Sequence, residues 1–517
     1  MTQSKPFYRR ALYDLFLLMV ALLFAAIFQF SVSPVVTQET EFDVSCFHVI
    51  GRAMASGQMP YLDFLDNKGP VLYVVYMFAS QLFEFPWGIF LISALLNFCS
   101  LLLLDRICQR LRIPNSFWIL LLYLFFYTCV CSNGGLTEDF ALPMTLAAFL
   151  IYLDVDASLK NGSFRLSSGF LLGLLFWLCA FTRINNALSI ALITASIGVQ
   201  LLLKREWKKT AAFVGTFAAG SVIIVLPVVL WLSRNGALQE FLNQVLLNNF
   251  KYSAAEDAIS KVDLFFHNRF GLQLFFLIGV GILGAIVFFF RNRNNRLPLF
   301  ITTLVVLFGT AASYLSMTKA FPHYLLIILI PAFFGFMLAF AHRSDPRERT
   351  KRGRWIVPAL AVLCCVGMIF TFSGKLKVER GLFYMKEVSG AVLNGTLFEK
   401  TEYEQSIDRL AEHIPVEERD SVYSIDIEPN FYAYSGITPA KRMFVCQSLF
   451  TEISSEYYDE FVSYFKNDPP KWLLTEKPLE TIYLCGTHDS LVASYRFVDK
   501  ALGLYNLYQW SEPDETH

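Results

Sequence analysis

The sequence is short of charge. Only 17% of its 517 residues are Asp, Glu, Lys or Arg, against about 25% in an average soluble domain. Its 43 basic and 43 acidic residues cancel, so the chain lacks the global positive charge that binds nucleic acid. These shortages exclude an ordinary soluble globular protein, and no nucleic-acid partner is expected.

The sequence also lacks cysteine pairs of the CxxC type that hold metals, although it has ten cysteines. Cys446 and Cys485 would be able to pair if they face an oxidising compartment, and the sequence leaves that open. No organic cofactor is expected. A divalent metal is left open, because acidic residues in the loops described below would be suitable ligands.

In place of charge the chain has long apolar runs, with 55% hydrophobic residues and 51 Phe. A helix of about 20 apolar residues crosses the roughly 30 Å of bilayer hydrocarbon. Because the first run lacks a small-residue cleavage site, we expect it to be an anchor rather than a removed signal peptide. The predicted spans, eleven in number, are 12–32, 85–104, 115–131, 138–153, 166–182, 185–203, 210–232, 270–290, 297–316, 321–341 and 355–373.

The positions of Lys and Arg predict the orientation of these spans. With the N-terminus inside, 21 of the 43 basic residues fall in inner loops, 8 in outer loops and 14 after residue 373, and the spans contain none. Cytoplasmic loops carry an excess of Lys and Arg. We therefore expect a multi-pass protein, of a bacterial cytoplasmic (inner) membrane, with its C-terminal region outside the cytoplasm.

Two domains follow from this pattern. Residues 1–373 form the predicted transmembrane module, with a first outer loop at 33–69 and a short interfacial helix at 70–84. Residues 374–517 hold 14 basic and 24 acidic residues and form a soluble region. There we predict helices over 402–413 and 452–466 and strands over 421–425 and 472–475. The predicted fold is an all-α membrane bundle with a small C-terminal α/β domain.

The first outer loop concentrates polar residues, as functional loops do. Asp43 precedes a helical pattern that contains Arg52 and ends near Gly57. One interpretation makes Asp43 only the helix N-cap, and the other makes it a general base for a hydroxyl acceptor. Lys68 is either a phosphate ligand or an interfacial lysine paired with Asp66. Asp63 and Asp66 suit a cap and a turn.

Other outer positions carry charge near the predicted membrane boundary. In the second outer loop Thr137 is the expected helix cap, and Glu138 and Asp139 either favour the helix dipole or help to position an acceptor or a metal. Arg183 lies between two spans, where charge is costly and usually functional. Arg183 and His323 are candidate phosphate ligands, with an interfacial anchor and a helix-start residue as the alternatives.

The stretch from Asp43 through Ile50, Arg52 and Gly57, followed by Asn67–Tyr73 (NKGPVLY), resembles the integral-membrane GT-C glycosyltransferases. It is most similar to bacterial relatives of protein O-mannosyltransferases and lipid A aminoarabinose transferases. In this comparison Asp43 matches the catalytic acid of the first loop and Lys68 matches the basic residue near the donor phosphate. Glu138 and Asp139 occupy a loop that in some relatives supplies a second acid, so the resemblance makes them further catalytic candidates. Val44 stands where that family has Glu, and Gly69-Pro70 where it has Pro-Pro.

This resemblance implies transfer of a hexose or pentose from a polyprenyl-phosphate donor to a hydroxyl acceptor at the outer membrane face, with inversion. The acceptor would be a cell-envelope glycan, a lipid or a protein, as in polysaccharide biosynthesis. A transporter or lipid flippase is the main alternative. It predicts ionisable residues deep in the spans, whereas the spans hold no Lys or Arg. A non-catalytic scaffold is the third hypothesis.

Overall fold

The computed structural model describes residues 7–35, 41–247, 269–291, 297–315, 321–341, 353–482 and 494–511. Long apolar helices make up most of this part of the chain, and a small sheet follows near its end. In order, the helices are α1 (Phe7–Phe28), α2 (Phe42–Ala55), α3 (Pro70–Leu82), α4 (Trp87–Leu111), α5 (Ser116–Val130), α6 (Thr137–Lys160), α7 (Ser167–Ala180), α8 (Leu188–Leu203), α9 (Trp207–Arg234), α10 (Leu238–Phe241), α11 (Arg269–Arg291), α12 (Leu297–Leu315), α13 (Leu326–Leu338), α14 (Gly353–Thr371), α15 (Gly374–Asn394), α16 (Glu402–Glu412), α17 (Asn430–Ser435), α18 (Gln447–Ile453) and α19 (Ser455–Lys466).

A helix coincides with every one of the predicted spans. Within the described ranges, seven helices are long and apolar enough to cross a membrane: α1, α4, α6, α8 with the turn before it, α9, α11 and α12. Helices α5, α7 and α13 are apolar but shorter, and α14 meets α15 at an 87° bend that makes this pair an eighth candidate. The chain is therefore a multi-pass membrane protein, and the count of eleven spans stays a prediction.

The chain divides into two compact units. The helical unit comprises Met1–Val32, Phe90–Trp231 and Ser253–Glu387. The sheet unit comprises Ser33–Ile89, Leu232–Tyr252 and Val388–His517. Composition places a domain boundary at residue 373 and groups the first outer loop with the spans, whereas packing groups that loop with the C-terminal region.

Close backbone approach characterises the helical unit. The carbonyl oxygen of Gly281 in α11 would lie 2.5 Å from a Cβ atom added to Gly335 in α13. Small residues at such crossings let membrane helices contact each other through their backbones. Aromatic rings fill the wider gaps, as where Phe149 of α6 stacks on Phe334 at 4.0 Å between ring centroids.

In its described residues the sheet unit contains four strands: β1 (Val422–Ile425), β2 (Trp472–Thr475), β3 (Tyr495–Ala501) and β4 (Tyr505–Trp510). Their order is β1-β2-β4-β3, with β1 and β2 parallel and the other pairs antiparallel. The predicted strands at 421–425 and 472–475 are therefore present, and the sheet confirms the expected small α/β region. The predicted helix at 402–413 corresponds to α16.

One predicted helix of the C-terminal region is divided. The pattern over 452–466 predicts one continuous helix, but α18 ends and α19 begins at Ser454, whose extended backbone (φ −148°, ψ 131°) interrupts the helical hydrogen bonds. Strands β3 and β4 were not among the predicted elements. The burial of β3 does not alternate between buried and exposed residues, because most of its residues are exposed or half-buried.

The first outer loop packs into the core of the sheet unit. Leu65 is buried in the same apolar cluster as Tyr423 and Leu473 of the sheet. Its backbone N–H donates a 3.0 Å hydrogen bond to the carbonyl oxygen of Arg442. Burial of a leucine side chain contributes about 1.5–3 kcal/mol, so this residue anchors the loop that carries the candidate site.

Candidate active site

Helix α2 positions Asp43. The predicted N-cap role is wrong, because the helix begins two residues earlier than expected: Glu41 is the N-cap and Asp43 is the second residue of the helix. The first turn still suits a carboxylate, since backbone N–H groups there favour negative charge. Asp43 is half-buried, and among the described residues its carboxylate makes no hydrogen bond or ion pair. It is therefore available to a substrate.

Helices α2 and α3 pack with their backbones in contact. A Cβ atom added to Gly51 would lie 2.7 Å from the backbone of Tyr76 and Met77. Glycine at this position lets the two helices approach closely. The predicted interfacial helix over 70–84 is present as α3, which begins at Pro70, directly after Lys68 and Gly69. The crossing therefore fixes where Lys68 lies relative to α2.

Arg52 holds the other end of α2. Its Nη2 atom donates hydrogen bonds of 2.9 Å to the Tyr432 carbonyl and 2.7 Å to the Ile437 carbonyl. Burial lowers the pKa of Arg52 to about 10, and the guanidinium stays charged at neutral pH. These bonds to backbone carbonyls tie the C-terminal part of α2 to α17 and the residues that follow it.

Lys68 lies in a compact polar group with Asp66 and Tyr73. Its Nζ atom is 3.4 Å from Asp66 Oδ1 and 2.9 Å from Asn67 Oδ1, and it lies over the Phe47 ring at 5.4 Å. The Tyr73 hydroxyl donates a 2.7 Å hydrogen bond to the second oxygen of Asp66. The ion pair between Lys68 and Asp66, one of the two alternatives that the sequence leaves open, is thus present.

The thiols of Cys46 and Cys446 both respond to charged residues of the first outer loop. Burial raises the pKa of the Cys46 thiol, and charges on Asp66, Lys68 and Asp43 add smaller effects. Burial likewise raises the pKa of Cys446 to about 12, with contributions from the same three charges. The charges of Asp43, Asp66 and Lys68 therefore all act on the same two thiols. Cys485 lies outside the described residues, and its pairing with Cys446 stays open.

Asp63 has a local structural role. Its Oδ2 atom accepts a 2.6 Å hydrogen bond from the backbone N–H of Met59, as expected for a turn residue. Gln244, in the segment after α10, ties the loop down further by donating a 2.8 Å hydrogen bond to the carbonyl oxygen of Tyr61. These contacts hold the loop that positions Lys68.

The helical unit contains a separate charged group at the start of α6. Arg183 Nη1 donates a 2.8 Å hydrogen bond to Glu138 Oε1, and the Glu138 side chain is 2% exposed. The guanidinium also lies over the Tyr324 ring, with 4.1 Å from Cζ to the centroid. A charge-assisted pair of this length is strong in a low-dielectric setting. Arg183 is thus engaged by both a carboxylate and an aromatic face.

Asp139 is satisfied by its own surroundings. The prediction that Thr137 caps this helix is wrong, because Leu136 is the N-cap and Thr137 is the first residue of α6. Asp139 Oδ2 accepts a 2.9 Å hydrogen bond from the Leu136 backbone N–H. The Tyr127 hydroxyl donates to the other carboxylate oxygen. Of the two acids in this loop, Glu138 rather than Asp139 has capacity for a further contact.

His323 is buried in a turn before α13. Its ring stacks on Phe321 with 5.5 Å between centroids and meets the Tyr324 ring edge-on at 4.5 Å. Tyr324 thus contacts both His323 and Arg183. Arg183 and His323, the two candidate phosphate ligands of the helical unit, therefore share a contact with one aromatic ring, and their phosphate role stays a prediction.

No metal-binding group is found in the described ranges: they contain no cluster of three or more His, Cys, Asp or Glu placed to hold an ion. Sequence reasoning missed Tyr73, Gln244 and Asn186. Tyr73 could have been found from the sequence, since it is the last residue of the NKGPVLY stretch that begins directly after Asp66. Gln244 comes from a distant segment and gave none.

Comparisons with known proteins identify a similar fold but no sequence family. A scan of protein-family profiles finds no match, and a search of curated proteins finds no significant relative. Solved structures do match. The crystal structure of ArnT from Cupriavidus metallidurans in the apo state aligns at 12% identity and a TM-score of 0.55, over 97% of this chain and 98% of that one.

ArnT from the same organism bound to undecaprenyl phosphate aligns at 12% identity and a TM-score of 0.58, over 96% of this chain and 97% of the other. The oligosaccharyltransferase AglB of Archaeoglobus fulgidus, in complex with an inhibitory peptide and a dolichol-phosphate, aligns at 11% identity and a TM-score of 0.45, over 98% and 75%. The ArnT matches confirm, at the level of the fold, the GT-C resemblance expected from the motifs.

Proposed function

We propose that this protein is a membrane glycosyltransferase that moves a sugar from a polyprenyl-phosphate donor to a hydroxyl acceptor. The observation that carries the proposal is the carboxylate of Asp43, which makes no hydrogen bond or ion pair within the described ranges and whose charge acts on the same two thiols as that of Lys68. The fold supports it, because the ArnT structure that aligns over 96% of this chain is bound to undecaprenyl phosphate.

In the proposed reaction Asp43 accepts the proton of the acceptor hydroxyl as its oxygen attacks the anomeric carbon of the donor sugar. The bond between the anomeric carbon and the phosphate oxygen breaks, and polyprenyl phosphate leaves with the bonding electrons. A single displacement inverts the anomeric configuration. Lys68 stabilises the charge that develops on the leaving phosphate, as a compact cation that donates hydrogen bonds.

The buried surroundings of Lys68 suit this role. Its side chain is 13% exposed, so a phosphate there would interact through a medium of lower dielectric constant than water. The ion pair with Asp66 holds the ammonium in place at 3.4 Å. Phosphate roles for Arg183 and His323, and an outer-face location of the reaction in a bacterial inner membrane, remain parts of the same proposal.

The test is a transfer assay with the purified full chain in lipid vesicles. Radiolabelled undecaprenyl-phosphate hexoses and pentoses are supplied with candidate lipid, glycan and protein acceptors. The proposal expects one donor to lose its sugar and an acceptor to gain it with inverted configuration. Movement of intact donor across the vesicle without bond cleavage would instead support a flippase and overturn the proposal.

A further inference from the structure

The helical unit buries polar atoms that the described residues leave without partners. Asn186 is 3% exposed, and neither its Oδ1 nor its Nδ2 atom has a hydrogen-bond partner in the described part of the chain. Glu138 is 1% exposed, and its Oε2 atom is likewise unpartnered there. A buried polar group without a hydrogen bond costs about 1–3 kcal/mol, so three such atoms require an explanation.

These atoms belong to one neighbourhood. Asn186 lies on a 3-10 turn, Ile184–Ala187, and its backbone N–H donates a 3.1 Å hydrogen bond to the carbonyl oxygen of Arg183. Arg183 in turn holds Glu138 through the 2.8 Å ion pair. The turn also packs against α6, the helix whose second residue is Glu138. The ion pair engages Oε1 of Glu138, and Oε2 is left without a partner in the described ranges, on a helix that packs against the turn.

The numbers of hydrogen-bond donors and acceptors on Asn186 and Glu138 indicate which kind of ligand would fit. Asn186 offers one acceptor and two N–H donors, and Glu138 Oε2 offers an acceptor. An ionised phosphate has only acceptors, so it would satisfy the amide N–H groups and repel both oxygens. A metal cation would suit the oxygens and leave the N–H groups unpaired. Vicinal hydroxyl groups both donate and accept, and they satisfy all three atoms.

We infer that Asn186 and Glu138 bind the hydroxyl groups of a sugar, with Arg183 holding Glu138 in place. The source of the sugar, donor or acceptor, rests on the proposed function. The match of hydroxyl groups to the hydrogen-bond donors and acceptors of Asn186 and Glu138 does not depend on it. The sugar would belong either to the lipid-linked donor or to a glycan acceptor, since both present the same hydroxyl chemistry. Arg183 is then a positioning residue, because the carboxylate neutralises its charge.

The test compares Asn186→Leu with the unchanged protein and with Asn185→Leu, a matched control at the half-buried neighbouring position. Equilibrium binding is measured for three probes: undecaprenyl phosphate, undecaprenyl phosphate carrying glucose, galactose or mannose, and the methyl glycosides of those sugars. We expect Asn186→Leu to weaken at least one sugar-bearing probe about tenfold, which corresponds to about 1.4 kcal/mol, and to leave bare undecaprenyl phosphate unchanged.

The pattern of loss identifies the source of the sugar. A loss confined to the lipid-linked sugars indicates the donor, and a loss for the methyl glycosides indicates the acceptor. Because leucine at a buried site risks misfolding, Asn186→Ser is measured as well. It keeps a hydroxyl group, and we expect a smaller loss of the same affinity with an unchanged melting temperature.

Two results would overturn the inference. Equal loss for bare undecaprenyl phosphate would show that Asn186 supports the phosphate or the fold, and unchanged binding of every sugar probe would show that buried water satisfies these atoms. In both cases binding of undecaprenyl phosphate by the unchanged protein would leave the proposed function intact. Failure of the unchanged protein to bind any lipid probe would count against the proposed function, while an Asn186-dependent glycoside affinity would still support the sugar site.

Discussion

Lys68 Nζ lies 3.4 Å from Asp66 Oδ1, and both side chains are mostly buried. Charge-assisted hydrogen bonds between ammonium and carboxylate groups are usually about 2.7–2.9 Å long, so this pair is looser than a saturated ion pair. Asp66 is held on its other side by the Tyr73 hydroxyl. The lysine is therefore held in position by Asp66 and by Asn67, whose Oδ1 atom accepts a 2.9 Å hydrogen bond from Lys68 Nζ.

This relationship predicts that Lys68→Gln weakens the binding of undecaprenyl phosphate. A hydrogen bond to a charged group contributes about 1.5–3 kcal/mol, so we expect a loss of affinity of about tenfold or more. Equilibrium binding to the protein in detergent measures it. Lys471→Gln is the matched control, because Lys471 is more than half exposed and pairs with Glu418. Equal affinities of Lys68→Gln and the unchanged protein would refute the phosphate role.

The crossing of α2 and α3 predicts that a side chain at Gly51 is not tolerated. Gly51→Leu would place its Cβ atom 2.7 Å from the backbone of α3, and overpacking of this kind costs about 1–3 kcal/mol. We expect a lower melting temperature in detergent. Gly215→Leu in α9 is the control, because a Cβ atom there meets nothing within 4 Å. Equal melting temperatures for the two variants would contradict the packing.

His48 predicts acid sensitivity of the sheet unit. Burial, with a smaller effect from Arg52, lowers the pKa of His48 from 6.5 to about 3. The unfolded chain therefore binds a proton that the folded chain excludes, and stability present above pH 6.5 is lost as the pH falls towards 3. Between pH 7 and pH 5 the loss is about 2 kcal/mol.

The measurement is the melting temperature at these two pH values. We expect His48→Phe to reduce the difference between them, because the aromatic ring fills the same space beside Phe85 without a titratable group. His413→Gln is the control, since the His413 side chain is 43% exposed. A difference that His48→Phe leaves unchanged would show that His48 is not the source of the acid sensitivity.

Much of this architecture could be predicted from sequence because hydrophobicity is a local signal. Every predicted span coincides with a helix, and β1 and β2 begin within one residue of their predicted positions. The N-cap positions at Asp43 and Thr137 were wrong, since helix boundaries depend on backbone angles that composition does not encode. Sequence also missed the packing of Leu65 into the sheet core, because that contact joins residues far apart in the chain.

The candidate site residues likewise divide into those that belong to a local sequence motif and those whose contacts join distant parts of the chain. Asp43 and Lys68 belong to a local motif, so the sequence alone makes them candidates, and their roles stay predictions. That Glu138 keeps a spare oxygen while Asp139 does not depends on Arg183 and on Tyr127, and neither contact is visible in the pattern SNGGLTED. Asn186 lies close to Arg183 in the sequence, but an asparagine is common in turns, so the pattern alone does not mark it as a binding residue.

The most direct test of the central claim is the transfer rate of Asp43→Asn under saturating donor. General base catalysis contributes about 10²–10⁴-fold, so the account predicts a fall in that range with undecaprenyl phosphate affinity and melting temperature unchanged. Asp468→Asn, at a side chain that is 84% exposed, should retain full activity. Transfer by Asp43→Asn at the rate of the unchanged protein would contradict the account.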